Sequence, residues 1–196
     1  MTEQEKTETF RLELNYIQNP DIKKFTESMI GRLPDYFFEV GASSTGRYHP
    51  SYALGNGGLV RHTQAAARIA IELFRCEAVT GKFSDESKDI ILSALILHDG
   101  CKHGIIKQQY TVAEHPLEAV KFCEQQEDAK SSLSEDFFEK IMDGIKTHMG
   151  FFNTDFKTKR EVLPKPDKGY QNFIHLCDYL ASRKCLEFNF DVALSK

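Results

Sequence analysis

The hydrophobic positions of this chain recur mostly at the three- and four-residue steps of an α-helix. Residues 59–74 are the clearest case, because they are rich in alanine and carry a continuous apolar stripe. The same spacing predicts helices over residues 22–30, 34–40, 59–74, 85–97, 117–123, 136–147 and 170–188. No repeat or linker divides the chain, so we predict an all-α protein, a single bundle of about six or seven helices.

Residue types that favour helix ends support some of these boundaries. Pro116 stands at the first position of its helix, where proline loses no hydrogen bond, and it places His115 at the cap. Ser132 and Glu135 have the spacing of a capping box for the helix over residues 136–147. We therefore expect the ring of His115 to project from the start of a helix.

Three regions lack a clear helical pattern. Residues 1–9 are polar and charged, so we predict a solvated tail, with residues 1–20 as tail and lead-in and residues 21–196 as the domain. The hydrophobic pattern of residues 10–17 is ambiguous and fits either a short strand or the start of a helix. Residues 41–58 are rich in glycine and predict a long loop, which in a compact domain tends to be functional. The side chains with useful chemistry in this loop are Arg47, Tyr48 and His49.

Composition narrows the class of protein. The chain has 196 residues, of which 41% are hydrophobic and 28% charged, as expected for one globular domain. The net charge of −4 argues against a protein that grips long nucleic acid, which normally presents a basic face. A small anionic substrate held by a few local cations remains compatible with this charge.

The same data bear on location. The first residues are polar rather than apolar, and no apolar stretch reaches the roughly 18 residues that a membrane span needs. The five cysteines are scattered without a C-x-x-C pair, which favours reduced thiols over disulfides or a thiolate zinc site. We therefore expect a cytoplasmic protein with no membrane partner; the sequence carries no signal for an oligomeric state.

A metal site is predicted near the middle of the chain. An apolar run over residues 90–97 ends at His98 and Asp99, with Gly100 and Lys102 just after. Burying an unpaired carboxylate is costly, and a bound cation is the usual remedy. His98 and Asp99 can reach one metal ion near a helix end, so the other ligands must come from elsewhere in the chain.

Further candidates lie at helix ends or at the edges of apolar faces. They are His62, His115, His148 and Asp178. A single residue in such a position is more often structural than a metal ligand. Together with His98-Asp99, however, these residues form five separate segments with the same feature, which makes a purely structural role for all of them less plausible. Spacing alone does not establish that they meet, because the segments are far apart in sequence. We interpret His103 and His175 as structural residues or as supports for ligands.

This set of residues resembles a known family. The pattern His62, His98-Asp99 and Asp178, with Lys102 three residues after the aspartate, is similar to the HD-domain superfamily of metal-dependent phosphohydrolases over about residues 45–185. The family commonly reads His-Asp-Ile-Gly-Lys, whereas this chain has Gly100 and Cys101 between the aspartate and the lysine. The resemblance implies an all-α fold with the ligands on neighbouring helices.

The resemblance extends to a dinuclear form. His115 and His148 match the two additional histidines of dinuclear members, which implies two divalent metal ions bridged by Asp99. The segments 46–50 and 57–62 resemble the HD half of bacterial 3′-to-5′ exoribonucleases. Because imidazole ligands predominate, manganese, iron, nickel or zinc suit the set better than magnesium.

The resemblance implies hydrolysis of a nucleotide or other small phosphate ester through a metal-bound hydroxide. Asp99 would bridge the metals, and Lys102 would offset phosphoryl charge. The candidate contacts to phosphate or base are Arg47, Tyr48, His49, Arg61 and Arg183.

Three alternatives stay open. A 3′-to-5′ exonuclease acting on short single strands is weakened by the acidic pI and by the lack of room for a separate nucleic-acid-binding domain. Some HD-fold relatives use the same six ligands as a di-iron centre that activates oxygen, and the ligand set does not separate these chemistries. A non-catalytic nucleotide-binding module is disfavoured by the complete ligand set.

Overall fold

A computed structural model describes residues 1–43, 49–79, 81–155, 158–186 and 190. In these residues the regular structure is helical, apart from one isolated antiparallel bridge between Thr154 and Glu161. The α-helices of the described part are α1 Glu3–Thr9, α2 Arg11–Leu14, α3 Pro20–Arg32, α4 Gly58–Leu73, α5 Asp85–Leu97, α6 His115–Glu124, α7 Glu127–Lys130, α8 Glu135–Thr147 and α9 Gly169–Ala181. Single 3-10 turns lie at Asp35–Phe38 and Ser51–Ala53. The all-α prediction is confirmed.

The helix α5 forms the centre of the bundle. It packs against α3, α4, α8 and α9, and every residue from Asp89 to Leu97 is buried. A helix surrounded on all sides needs apolar residues all round, which explains why its sequence reads as a continuous apolar run. Its C-terminal end delivers His98 and Asp99 into the interior of the protein.

A glycine allows α8 to approach two neighbours closely. A Cβ at Gly144 would lie 2.6 Å from Cδ1 of Ile174 on α9 and 3.0 Å from Cβ of Ala94 on α5. Distances this short mean that a larger residue at this crossing would force the Ile174 side chain and the neighbouring helices to shift. The contact sets the spacing of the three helices whose ends carry His98, His148 and Asp178.

The prediction of a solvated tail over residues 1–9 is wrong, because this segment forms α1 and packs against α3. The Thr2 hydroxyl accepts from the Glu5 backbone N–H at 3.2 Å, and the Glu5 carboxylate accepts from the Thr2 N–H at 2.8 Å. Lys6 then buries its stem and donates from Nζ to the carbonyl oxygen of Leu33 at 2.7 Å. The Thr2-x-x-Glu5 pair is a capping-box signal within a segment that looks merely polar.

Other helix boundaries also differ from the prediction. The cap of α8 is Ser134, whose hydroxyl accepts from the Phe137 N–H at 3.3 Å, whereas the predicted Ser132 donates to the Ala129 carbonyl. The last helix ends at Ala181, short of the predicted residue 188. The ambiguous residues 10–17 contain the single helical turn α2. Among the described residues no helix is both long and apolar enough to span a membrane.

Candidate metal centre

The predicted ligand residues come together where several helices end. His62 lies in the first turns of α4, His98 and His148 cap the C-terminal ends of α5 and α8, and His115 begins α6. Asp99 follows α5, and Asp178 lies on α9. The side chains of all four histidines and Asp99 are at most 3% exposed, and that of Asp178 is 16% exposed.

Asp99 lies between two pairs of histidines. Its Oδ2 atom is 3.6 Å from Nε2 of His62 and 3.5 Å from Nε2 of His98. Its Oδ1 atom is 3.1 Å from Nε2 of His115 and 3.8 Å from Nε2 of His148. Each carboxylate oxygen therefore faces its own pair of imidazole nitrogens.

Asp178 completes the first of these groups. Its Oδ1 atom is 2.9 Å from Nε2 of His62 and 3.4 Å from Nε2 of His98. Ligand atoms of His62, His98 and Asp178 all lie within 4.8 Å of one another, as do those of His98, Asp99 and His148. Nitrogen and oxygen atoms at such separations can share one metal ion.

The backbone fixes the orientation of three imidazole rings. Nδ1 of His98, His115 and His148 lies 2.6, 2.9 and 2.7 Å from the carbonyl oxygen three residues earlier in each case. A carbonyl oxygen only accepts, so each Nδ1 carries a proton and donates it. In the neutral ring this leaves the lone pair on Nε2, the atom that faces the centre. Metal-binding histidines are oriented in this way by their outer hydrogen bonds.

The electrostatics of the cluster favour positive charge at its centre. Burial raises the pKa of Asp99, but Lys102, His98 and His115 outweigh burial and hold that pKa well below its usual range. Burial lowers the pKa of His98, but the two nearby carboxylates outweigh it and raise the value to about 10. Burial, together with the charge of the neighbouring His98, lowers the pKa of His148 to about 3, and the two carboxylates only partly oppose this shift. The carboxylates thus remain ionised in the interior because cations surround them.

Two atoms at the centre lack hydrogen bonds from any described residue. Nε2 of His98 and Oδ1 of Asp99 are fully buried, and their neighbours lie at distances or angles outside hydrogen-bond geometry. Leaving buried polar atoms unpaired is costly. A divalent metal ion between the imidazole nitrogens and the carboxylate oxygens would satisfy both atoms, so the residues present fit such an ion.

A cavity of about 780 Å³ opens beside this centre. Lys102 and His49 line it, and the Lys102 ammonium pairs with Oδ2 of Asp99. The His49 ring packs edge-on against the ring of His62, with centroids 4.9 Å apart. Burial, together with the neighbouring His62, lowers the pKa of His49 to about 3.

The predicted arginines have different positions. Arg183 lines the cavity. Arg61 is not among the described residues that line it, because its guanidinium donates to the carbonyl oxygens of Tyr52, Leu54 and Asn56. It therefore holds the loop before α4 in place. The predicted contacts Arg47 and Tyr48 lie outside the described residues.

Sequence reasoning missed several residues at this cavity. Tyr110, Phe152 and Tyr179 present aromatic rings to it. His175, interpreted from the sequence as structural or supporting, also lines it, and its Nδ1 donates to the carbonyl oxygen of His148 at 2.7 Å. The spacing of His175 and Tyr179 on one face of α9, with Asp178 beside them, was the available signal.

Comparisons with known proteins add no further identification. The chain matches no protein-family model, no curated protein and no solved structure.

Proposed function

We propose that this protein is a metal-dependent phosphohydrolase of the HD-domain type that cleaves a nucleotide or another small phosphate ester. The main support is the position of Asp99, whose two carboxylate oxygens face two separate pairs of histidines. A buried carboxylate between two imidazole pairs is the arrangement expected of a ligand that bridges two metal ions.

Six residues would hold the ions. His62, His98 and Asp178 with Oδ2 of Asp99 would form one site, and His115, His148 and Oδ1 of Asp99 the other. Their nitrogen-rich set favours manganese, iron, nickel or zinc over magnesium. When bound, such ions supply Lewis acidity toward phosphoryl oxygens and lower the pKa of a coordinated water.

The protein's own residues contribute orientation and charge. The backbone carbonyls that accept from Nδ1 keep three imidazole rings aimed at the centre, so little reorganisation is needed on binding. The candidate ligands are largely buried, but His115, His148 and Asp178 line the cavity, so a substrate in the cavity could reach them. The Lys102 side chain lines the cavity and is 11% exposed, and its ammonium would offset the charge of a phosphoryl group bound there.

The surroundings support a small substrate. The cavity volume of about 780 Å³ lies in the range typical of small-molecule sites. The net charge of −4 does not favour long nucleic acid as a partner. We extend the proposal to a cytoplasmic location, as five scattered cysteines that form no disulfide suggest.

The decisive experiment measures metal content and turnover together. Protein purified without added metal or chelator is assayed for manganese, iron, nickel and zinc, and then for phosphate release from a panel of phosphate esters and nucleotides with Mn²⁺. About two ions per chain, with phosphate release that a chelator abolishes, is the expected result. Protein that takes up no metal under any loading condition would overturn the proposal, and two irons with oxygen-dependent turnover would replace it with an oxygenase.

A further inference from the structure

The cavity beside the metal centre has an aromatic wall that the proposed hydrolysis does not require. The rings of Phe152 and Tyr179 lie within 11° of parallel, with centroids 6.4 Å apart. The ring of His175 lies 6.4 Å from Phe152 and 6.2 Å from Tyr179. Phe152 is 59% exposed and Tyr179 37% exposed, and both residues line the cavity.

The wall is built on the helices that carry the candidate ligands. His175 and Tyr179 are one helical turn apart on α9, and Asp178 lies between them in sequence. Phe152 belongs to the turn that follows His148, in which its N–H donates to the Met149 carbonyl oxygen at 3.0 Å. The distance between the wall and the metal centre is therefore set by the backbone of α8 and α9.

A cation lies over one ring of this wall. The guanidinium carbon of Arg183 is 4.2 Å from the centroid of the Tyr179 ring. Its hydrogen bonds go to the Tyr179 carbonyl and the Ser182 hydroxyl, and within the described part of the chain it has no carboxylate partner. Guanidinium groups only donate, so this one would recognise acceptor atoms on a ligand.

We infer that the wall formed by Phe152, Tyr179 and Arg183 binds the base of a nucleotide, an inference that rests on the proposed function for its phosphate end. A planar base stacks on an aromatic face whatever its identity, and an arginine beside the ring adds contacts to the acceptor atoms of the base. The phosphate would then lie by Lys102 and the histidine–aspartate centre, which border the same cavity. The substrates are accordingly nucleoside phosphates.

Binding to metal-free protein tests this inference without relying on turnover. Adenosine 5′-monophosphate, guanosine 5′-monophosphate and ribose 5-phosphate are titrated calorimetrically in the presence of chelator. Both nucleotides should bind more tightly than ribose 5-phosphate, and Phe152→Ala should weaken nucleotide binding by about tenfold while leaving ribose 5-phosphate unchanged. Phe151→Ala is the matched control, because Phe151 is 82% exposed and does not line the cavity.

The outcomes separate this inference from the proposed function. Equal binding of nucleotides and ribose 5-phosphate, or equal losses in the two phenylalanine variants, would overturn the base site. Nucleotide binding that depends on Phe152, without phosphate release under any metal, would support the base site and remove the hydrolase. Hydrolysis with the same kcat/KM for nucleotides and ribose 5-phosphate would keep the hydrolase and remove the base site.

Discussion

The Nδ1 atom of His175 lies 2.7 Å from the carbonyl oxygen of His148. This hydrogen bond joins α9 to the residue that ends α8. His148 presents Nε2 to the metal centre, so the contact fixes the end of α8 at the point where the candidate ligand leaves it. Within the described residues His175 belongs to neither group of atoms that could share a metal ion, so we interpret it as a positioning residue.

Gly150 makes this contact feasible, and its replacement should disturb the centre. A Cβ at Gly150 would lie 2.4 Å from Nε2 of His175, and the backbone there has φ of +57°. We expect Gly150→Ala to lower the free energy of unfolding by about 2–4 kcal/mol. About 1–2 kcal/mol comes from the left-handed backbone conformation, which alanine disfavours, and the rest from displacing the packed ring of His175. Urea unfolding measures this loss, and metal analysis should show weaker occupancy of the site that includes His148.

Gly81→Ala provides the control for backbone strain alone. Gly81 has φ of +80°, but a Cβ there meets nothing within 4 Å. Gly81→Ala should therefore lower the free energy of unfolding by only about 1–2 kcal/mol and leave the metal content unchanged. Equal losses in the two variants would show that the His175 ring does not constrain this turn.

The ion pair between Arg32 and Asp128 should make the stability of the fold depend on pH. Arg32 at the end of α3 makes two parallel hydrogen bonds to the carboxylate of Asp128 on α7. They lower the pKa of Asp128 from 3.8 to about 2. Because the folded pKa lies below the unfolded value, the pair stabilises the fold above about pH 4, and this contribution is lost as the pH falls toward 2.

Urea unfolding of the native protein and of Asp128→Asn measures this effect. The native protein should be the more stable at pH 6, and the difference should shrink as the pH is lowered through the window from 4 to 2. High salt should also reduce the difference, because the Asp128 carboxylate lies at the surface, with its side chain 71% exposed. A difference that is constant across this range would show that the carboxylate charge contributes nothing.

The helical segments could largely be predicted from the sequence, and the exceptions have physical causes. The predicted range 85–97 matches α5, since a helix buried on all sides leaves a continuous apolar run between its polar cap and the next turn. The helix α1 was missed because it is polar on most of its surface and is recognisable mainly by the pair Thr2 and Glu5. The end of α9 at Ala181 could not be predicted, because no glycine or proline follows it closely to mark the end of a helix.

The candidate site was predictable only in part. Helix periodicity placed His98 and His148 at helix ends, but only the family resemblance suggested that they meet Asp178. Arg61 is a predicted substrate contact, yet its donors are taken by backbone carbonyls that leave no trace in the sequence. Exposed aromatics such as Phe152 resemble ordinary loop residues until the fold places them beside a cavity.

Metal stoichiometry should distinguish the two proposed sites. Asp99→Ala removes the carboxylate that faces both histidine pairs, so we expect it to lose both ions and all hydrolysis. His115→Ala removes a ligand from the second group only and should retain one ion per chain while activity falls by at least about 100-fold. Elemental analysis of protein purified in parallel provides the measurement.

His103→Asn is the control for loss of a buried histidine. His103 is 6% exposed, and its Nδ1 pairs with the carbonyl of Gln108 rather than with the cluster. This variant should keep the native number of ions even if it is less stable. Two ions in His115→Ala would mean that the centre does not use His115, and two ions in Asp99→Ala would contradict the bridging role of Asp99.

Lys102 should oppose metal binding and assist turnover, because its ammonium pairs with the same Oδ2 atom of Asp99 that faces His62 and His98. Two unit positive charges about 4 Å apart repel by roughly 4 kcal/mol at an intermediate dielectric, and a divalent ion would feel more, so Lys102→Met should tighten metal binding by at least about tenfold. The same variant should lower kcat/KM for a phosphate ester by about 10- to 1000-fold, because a donor to the phosphoryl oxygens is lost. Lys140→Met, which removes an exposed partner of Asp136, should change neither quantity. If Lys102 merely supported the fold, Lys102→Met would instead lower metal affinity and activity together. Tighter metal binding with lower kcat/KM would therefore identify a role of Lys102 toward the substrate.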